Sequence, residues 1–286
     1  MSNTKIIKNT VAGVGMINVD LVFSGLKRLP EAGEELFAGD FSIRLGGGVP
    51  SSLYAAKRFG ADVKFAGYLG ESFFSDFILK ELAAKEIPFI NLMKGAGSGI
   101  NVTAVMPVGN ERTFVTRSEP CTADSEAVYA ALSGSAVVIA ERGKYLDVYR
   151  KLKKEGSVIV GDFGYDENMN IREYRDTLEV LDYYFPNERE AKLLTLAESA
   201  EEALKRLSDI VPYPVVTLAE RGAMYLKNGV SATVSAEKAT CIDATGAGDA
   251  FLGGYAAGVA KGLDPEQCLQ QALRAGTHII RTPGCY

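Results

Sequence analysis

The sequence predicts an α/β fold in which helices cover both faces of a mostly parallel sheet, with a second, smaller sheet beside it. Short apolar strands alternate with amphipathic helices along most of the 286 residues, and this alternation is typical of a parallel sheet between two helical layers. Four further strand-like segments carry interleaved polar residues and are not followed directly by helices, which indicates a separate sheet. A Gly-rich turn before an apolar helix near the C-terminus indicates an anion site.

All predicted elements fit one domain, residues 1–286. The main-sheet strands are predicted at 11–16, 63–68, 136–140, 158–161, 183–186 and 215–218. The helices are predicted at 51–59, 73–85, 125–132, 144–154, 188–196, 200–208 and 249–261. The strands of the small sheet are predicted at about 20–26, 37–44, 101–107 and 112–117. Because ligands of such folds bind at the carboxyl ends of the parallel strands, we expect the functional residues there.

Composition narrows the classes of partner. A net charge of −5 argues against a nucleic-acid backbone as partner. No apolar run approaches the length of a membrane span, so no membrane partner is expected. The 4 cysteines are scattered without a C-x-x-C pair, which favours reduced thiols and a cytoplasmic location.

The most informative stretch is 243–251, which reads Asp-Ala-Thr-Gly-Ala-Gly-Asp-Ala-Phe and leads into an apolar helix. The first N–H groups of a helix have no partner within it and carry partial positive charge. Gly246 and Gly248, on either side of Ala247, let this bare backbone approach an anion. Asp249 beside them can take a proton from an attacking hydroxyl. The turn taken alone also fits an ordinary helix start, but the whole stretch favours phosphoryl transfer to an alcohol.

The stretch 243–251 resembles the C-terminal signature of the ribokinase-like, or PfkB, family of carbohydrate and nucleoside kinases. The resemblance implies that Asp249 is the catalytic base and that Gly246, Ala247 and Gly248 form the anion hole. It also implies a ribokinase-like three-layer sandwich whose small sheet is a lid over the sugar site. Extra edge strands of the main sheet are the alternative for these segments. Because lids of this family often carry a dimer contact, a homodimer through the lid is expected.

A second Gly-rich stretch, Leu-Gly-Gly-Gly-Val-Pro-Ser-Ser at 45–52, precedes a predicted helix and would let backbone approach a ligand closely. By itself it also fits a tight turn. It resembles the N-terminal signature of the same family, which implies that Gly46 and Gly47 start a sugar-binding loop. The family's usual Asn, four residues after the second glycine of the pair, is Ser51 here. Serine is shorter and lacks the amide, so this departure leaves the identity of the sugar open.

Four polar residues are further candidates for binding the acceptor. Asn18 and Asp20 follow the first strand, and the family uses the matching acid to hold substrate hydroxyls, although an Asn-x-Asp turn is the alternative. Glu141 follows the strand at 136–140, at a carboxyl end, and matches a substrate-binding acid of ribokinases. Arg117, in a predicted lid strand, would reach a polar or anionic group of the substrate; a solvated surface charge is the alternative.

The nucleotide and Mg²⁺ are expected near a later helix start. Asn187 and Glu190 form an N-terminal capping box, which alone is a structural pattern. The same Asn-x-x-Glu matches the family motif that holds Mg²⁺ and phosphate mainly through water, and Mg²⁺ needs few protein oxygens. Thr217 and Gly222 resemble the family's nucleotide-binding segment, with Ala219 where glycine is common.

The C-terminal loop 281–284, Arg-Thr-Pro-Gly, resembles the family's loop near the adenine and a monovalent cation. The resemblance implies nucleotide contacts from Gly284 and from Gly248 of the anion hole. It also implies that Asp243 and Thr245 are ligands of a monovalent cation such as K⁺.

The sequence therefore predicts a carbohydrate kinase that uses ATP and Mg²⁺ to phosphorylate a hydroxymethyl group of a sugar or sugar derivative. A nucleoside or pseudouridine kinase of the same fold is an alternative, with Phe23, Phe37 and Phe114 as candidates to contact a base. A non-catalytic sensor that binds sugar or nucleotide is an alternative from a different class. A P-loop kinase is disfavoured because no G-x-x-x-x-G-K-[ST] motif occurs.

Overall fold

The computed structural model describes residues 7–109, 111–281, 284 and 286. The strands of its main sheet are β1 (Ile7–Gly15), β4 (Asp62–Gly67), β5 (Phe89–Asn91), β8 (Ser135–Ile139), β9 (Val158–Gly161), β10 (Tyr183–Tyr184), β11 (Tyr213–Thr217), β12 (Ala223–Lys227) and β13 (Val230–Val234). Their order is β13-β12-β11-β10-β9-β8-β1-β4-β5. The strands from β11 to β5 pair in parallel, whereas β12 and β13 add an antiparallel hairpin at one edge.

Helices cover both faces of this sheet. They are α1 (Gly48–Arg58), α2 (Ser75–Ala84), α3 (Ser125–Leu132), α4 (Leu146–Lys154), α5 (Ile171–Leu178), α6 (Glu188–Thr195), α7 (Ala200–Ser208), α8 (Ala247–Ala260) and α9 (Pro265–Ile279). Adjacent residues of a strand point to opposite faces, so Val11 packs with α1, α2, α8 and α9 while Ala12 packs with α3 to α7. The structure confirms the predicted three-layer α/β sandwich.

A separate small sheet consists of β2 (Ile17–Ser24), β3 (Asp40–Gly46), β6 (Ile100–Val108) and β7 (Glu111–Arg117). Its order is β3-β2-β6-β7, with β2 antiparallel to β3 and parallel to β6. These strands lie at the predicted segments, and none of them pairs with the main sheet among the described residues. The alternative of extra edge strands is therefore wrong.

Several elements differ from the sequence prediction. Helix α1 begins at Gly48 rather than at 51, because Pro50 has the backbone angle of a helix and its missing N–H is not needed in the first turn. The hairpin β12–β13 was missed, although its turn, Asn228-Gly229, carries the left-handed angles that an Asn-Gly pair favours. Helix α9 was missed too, although Asp264 and Gln267 form a capping box at its start.

Helix α8 packs closely against α1 on one side and against α9 on the other, and these contacts position its N-terminus. A Cβ added at Gly253 would lie 2.0 Å from the carbonyl oxygen of Ser52 in α1. A Cβ at Gly254 would lie 3.0 Å from the Cα of Ala272 in α9. Because glycine allows this approach, the first turns of α1 and α8 meet at one edge of the sheet. None of the helices in the described ranges is long and apolar enough to cross a membrane.

Candidate functional site

A cleft of about 330 Å³ opens where β1, β8 and β9 end and where α1 and α8 begin. We call it the central cleft. The predicted site residues that line it are Asn18, Gly47, Glu141 and Asp249. Gly48, which lies next to the predicted glycine pair, and Asp162, which follows β9, also line it. The carboxyl-end position is where ligands of parallel sheets bind.

Asp249 lies in the first turn of α8 and is partly buried. Burial raises the pKa of its carboxyl group from 3.8 to about 7. A Cβ added at Gly48 would lie 2.9 Å from Asp249 Oδ1, so the carboxylate rests against the bare backbone at the start of α1. The group is therefore poised to gain and lose a proton near neutral pH, in a cleft, at a helix N-terminus.

The turn before α8 has the geometry of an anion site. Gly246 is the N-cap residue and has φ 75, a left-handed angle that favours glycine. None of the hydrogen bonds among the described residues uses the N–H group of Gly248 or Asp249. Both groups belong to the positive end of α8. The open N–H groups of Gly248 and Asp249 thus lie beside the Asp249 carboxylate, whereas the Ala247 N–H donates to the carbonyl oxygen of Ala244 at 3.3 Å.

Two polar side chains line the other walls of the central cleft. Asn18 Oδ1 accepts a hydrogen bond of 3.0 Å from Asn101 Nδ2, which fixes the Asn18 amide between two strands of the small sheet. Glu141 Oε1 pairs with Lys144 Nζ at 2.6 Å, while Glu141 Oε2 is buried and has no hydrogen-bond partner among the described residues. Burial raises the pKa of Glu141 despite the Lys144 charge. Glu141 lines the central cleft, and a buried carboxylate oxygen without a partner is a strong acceptor for a ligand hydroxyl.

Asp162 is a site residue that the sequence analysis missed. Burial, followed by the charges of Glu190 and Asp249, raises its pKa well above the usual value. A Cβ added at Gly248 would lie 3.4 Å from Asp162 Oδ2, so this carboxylate adjoins the anion hole. The only sequence signal was an acid directly after β9, and a lone acid after a strand carries little information. The structure thus brings Asp162 within electrostatic range of both Glu190 and Asp249.

Asn187 and Glu190 form the predicted capping box at the start of α6. Asn187 Oδ1 accepts from the Glu190 N–H at 2.9 Å, and Glu190 Oε2 accepts from the Asn187 N–H at 2.9 Å. Burial raises the pKa of Glu190 although these hydrogen bonds lower it. Asn187 also forms an isolated parallel bridge with Thr217, so these two predicted nucleotide residues are adjacent.

The turn after β11 explains two sequence features. Ala219 has φ 52, so a residue with a side chain occupies an angle that favours glycine, which fits the glycine common at this place in the family. Gly222 has φ 101, and a Cβ there would lie 1.9 Å from the carbonyl oxygen of Val234. Glycine is therefore required at this position for the hairpin to close over the turn.

A second cleft of about 170 Å³ lies beside the central one, under the small sheet. Four predicted site residues line it. Asp20 is a predicted acceptor residue, Asp243 and Thr245 are predicted cation ligands, and Gly284 is a predicted nucleotide residue. Burial raises the pKa of Asp20 to about 6, against the lowering effect of the Arg44 charge. A Cβ added at Gly46 would lie 2.6 Å from Asp20 Oδ2. Residues 282 and 283 of the predicted C-terminal loop lie outside the described residues.

Two of the predicted acceptor residues lie away from both clefts. Ser51 is 2% exposed in the first turn of α1, and Ser52 lines the central cleft in its place. Arg117 forms an ion pair with Glu119 and its side chain is 64% exposed. This position matches the alternative of a solvated surface charge for Arg117.

Comparison with known proteins agrees with this fold. The model of the pfkB family of carbohydrate kinases matches residues 8–286. The chain is 25% identical to a ribokinase from Lactococcus lactis over 93% of its own length and 88% of that protein's. The structure of Arabidopsis thaliana ribokinase complexed with ribose and ATP has a TM-score of 0.78 and 20% identity, covering 97% of this chain and 94% of that one. An adenosine kinase from Sinorhizobium meliloti has a TM-score of 0.79 and 19% identity, covering 98% and 96%.

Proposed function

This chain belongs to the pfkB family of carbohydrate kinases, and from that premise we propose that it transfers the terminal phosphoryl group of ATP to a hydroxymethyl group of a sugar or sugar derivative. The observation that carries the proposal is the position of Asp249. Its carboxyl group, with a pKa raised to about 7, lies in the central cleft beside the open N–H groups of the first turn of α8. A base next to an anion site is what phosphoryl transfer to an alcohol requires.

The acceptor would lie in the central cleft with its reacting hydroxyl at Asp249. Glu141 Oε2, which has no partner among the described residues, would accept a hydrogen bond from another of its hydroxyls. The Asn18 amide would accept from or donate to a further hydroxyl. The Asp249 carboxylate would accept the proton of the hydroxyl as the bond to phosphorus forms. The N–H groups of Gly248 and Asp249 would stabilise the negative charge on the transferring group.

The residues around Asp249 fit Mg²⁺, which the family typically uses with ATP. Asp162 and Glu190 are carboxylates whose raised pKa values reflect burial and, for Asp162, mutual repulsion, and a cation would offset both effects. No three acidic, histidine or cysteine side chains in the described ranges are close enough to hold a metal directly. Asp162 and Glu190 would therefore hold the ion largely through water, and Mg²⁺ would neutralise charge on the phosphates.

The nucleotide would extend from the anion hole along α6 and the turn after β11. Asn187 and Thr217 are adjacent there, and the turn that follows holds Ala219 and Gly222 in left-handed backbone angles. We propose these residues, together with Gly248, as the ATP side of the site. Gly284 lies beside Asp243 at the far end, where its N–H group donates to Asp243 Oδ2 at 2.9 Å.

The positions of the three aromatic residues proposed to contact a base favour a sugar over a nucleoside as acceptor. Of the three aromatic residues proposed to contact a base, Phe23 packs on Phe41 with ring centroids 5.1 Å apart, and Phe37 is 86% exposed. Phe114 lines the second cleft. None of the three lines the central cleft among the described residues. Phe163 does line it, so nucleosides belong in the test as competing acceptors.

The exposed apolar side chains of the small sheet support a dimer through that sheet. They are Phe41, Ile43 and Val115, which the strand pairing places on one face of the sheet. Burying such a patch in a second copy would remove apolar surface from water. Light scattering coupled to size-exclusion chromatography would give the oligomeric state.

An enzyme that uses ATP is expected in the cytoplasm, so we propose a cytoplasmic location.

The direct test is ADP release from Mg·ATP in the presence of sugars, sugar derivatives and nucleosides. One acceptor class should give strong turnover, and Asp249→Asn should reduce kcat by about 10²–10⁴-fold while ATP binding persists. Asp147→Asn is the matched control, because the Asp147 side chain on α4 is 97% exposed. Near-normal kcat in Asp249→Asn would refute the assignment of the base. ATP binding without turnover of any acceptor would support the sensor instead.

A further inference from the structure

The guanidinium of Arg112 occupies the place where a monovalent cation is implied. Arg112, on β7 of the small sheet, forms an ion pair through Nη2 with Asp243 Oδ1. Its Nη1 donates a hydrogen bond to Thr245 Oγ1. Both candidate cation ligands, Asp243 and Thr245, therefore already contact a positive charge.

Both carboxylate oxygens of Asp243 also accept hydrogen bonds from backbone N–H groups. Asp243 Oδ1 accepts from the Thr245 N–H at 2.7 Å, and Asp243 Oδ2 accepts from the Gly284 N–H at 2.9 Å. Although burial alone would raise it, these hydrogen bonds and the Arg112 charge hold the pKa of Asp243 below its usual value. A second cation at this place would meet an ionised carboxylate whose oxygens are engaged and a guanidinium at contact distance. The residues therefore do not fit K⁺.

Arg112 is also connected to the catalytic turn. Thr245 directly precedes Gly246, the left-handed N-cap residue of α8, and the anion hole follows at once. On its other side the loop is held by the N–H of Ile242, which donates to the carbonyl oxygen of Ile280 at 2.8 Å. The side chains of Arg112 and Asp243 are 20% and 16% exposed, so solvent screens this pair only in part. The position of the turn thus depends on a charge that the small sheet supplies.

We propose that Arg112 replaces the monovalent cation, so that this chain holds its anion-hole loop with a built-in guanidinium and works without K⁺. The inference rests on the proposed function, because the loop it concerns is the phosphoryl-transfer loop. Arg112 acts as a positioning residue: it acts through Asp243 and Thr245, not on the reacting atoms. Since it belongs to β7, the charge reaches the loop only while the small sheet lies over the site.

The test compares wild type, Arg112→Ala and Arg112→Lys at constant ionic strength in potassium, guanidinium or tetramethylammonium chloride. Wild-type kcat should be the same in all three salts within about 2-fold. Arg112→Ala should lose about 10–100-fold in kcat in tetramethylammonium, since a small displacement of an anion hole has effects of this size. Low millimolar guanidinium or K⁺ should restore much of that loss, and Arg112→Lys should retain most activity in every salt. Arg175→Ala, which removes an exposed ion pair with Glu179 on α5, is the control.

A second readout separates this inference from the proposed function. The thermal unfolding midpoint of Arg112→Ala should rise in K⁺ relative to tetramethylammonium, while that of wild type should not change. This measurement needs no acceptor, so it still tests Arg112 if wild type phosphorylates nothing and the proposed function fails. Strong K⁺ activation of wild type would overturn the inference, as would an Arg112→Ala variant equal to wild type. A loss that neither cation restores would show a merely structural role and would overturn it too.

Discussion

Removing the negative charge of Asp249 should stabilise the fold while it abolishes catalysis. Burial raises the pKa of this carboxyl group from 3.8 to about 7, because the charged form loses its hydration in the cleft. Asparagine has nearly the same shape and carries no charge. The variant Asp249→Asn therefore keeps the packing of α8 and removes the unfavourable carboxylate.

The magnitude follows from linkage between proton binding and folding. A difference of about 3 pKa units between folded and unfolded states corresponds to at most about 4 kcal/mol at neutral to alkaline pH. Because asparagine also loses some hydration in the cleft, we expect a gain of about 2–4 kcal/mol in the free energy of unfolding near pH 8. Relief of repulsion with Asp162 acts in the same direction.

The sign of the pH dependence is fixed by the direction of the shift. Well below pH 3.8 both the folded and the unfolded wild type carry a protonated Asp249, so the variant should gain little there. Between pH 3.8 and about 7 the unfolded chain releases this proton and the folded chain keeps it, so wild type progressively loses stability. The advantage of Asp249→Asn should therefore grow across this window and then level off.

Urea unfolding at a series of pH values between about 4 and 8 measures the difference in the free energy of unfolding between Asp249→Asn and wild type. The comparison requires that m, the slope of this free energy against urea concentration, is the same in both proteins. Asp147→Asn removes a carboxylate that is 97% exposed and should show no such gain. An Asp249→Asn variant no more stable than wild type near pH 8 would refute the reasoning. A gain that is equal at all pH values would also refute it, because burial of the charge would then not be its cause.

Further predictions concern the same site. The kcat/KM of wild type should rise with pH through an apparent pKa near 7, because Asp249 must be ionised to accept a proton, and a pH–rate profile measures this. Gly48→Ala should lower kcat by about 10–100-fold, because its Cβ would lie 2.9 Å from Asp249 Oδ1, whereas Gly39→Ala, with 3.6 Å to its nearest neighbour, should not. Glu141→Gln should raise the KM of the acceptor by about 10-fold and leave the KM of ATP unchanged, as steady-state kinetics with each substrate varied would show. Gly222→Ala should reduce the free energy of unfolding by about 1–3 kcal/mol or more, and Gly229→Ala by less, because a Cβ at Gly222 would lie 1.9 Å from a carbonyl oxygen and one at Gly229 has no neighbour within 4 Å.

Features that depend on residues close together in the chain could be predicted from the sequence. The alternation of strands and helices predicted the layered sheet, because periodicity reports which face of an element is buried. The stretch from Gly246 to Asp249 predicted a bare helix N-terminus beside an acid, since a helix start is a local structure. The polar interleaving of β2, β3, β6 and β7 likewise predicted a separate small sheet.

Contacts between residues far apart in the sequence are visible only in the folded chain. Asp162 joins Glu190 and Asp249 because three strand–helix connections end at one edge of the sheet, and no local pattern records that convergence. Arg112 contacts Asp243 because the small sheet folds over the loop before α8, and the sequence alone shows only a charge in a strand. Burial sets how strongly the charges in both contacts interact. The extent of burial depends on the packing of the whole chain, so no local sequence pattern reports it.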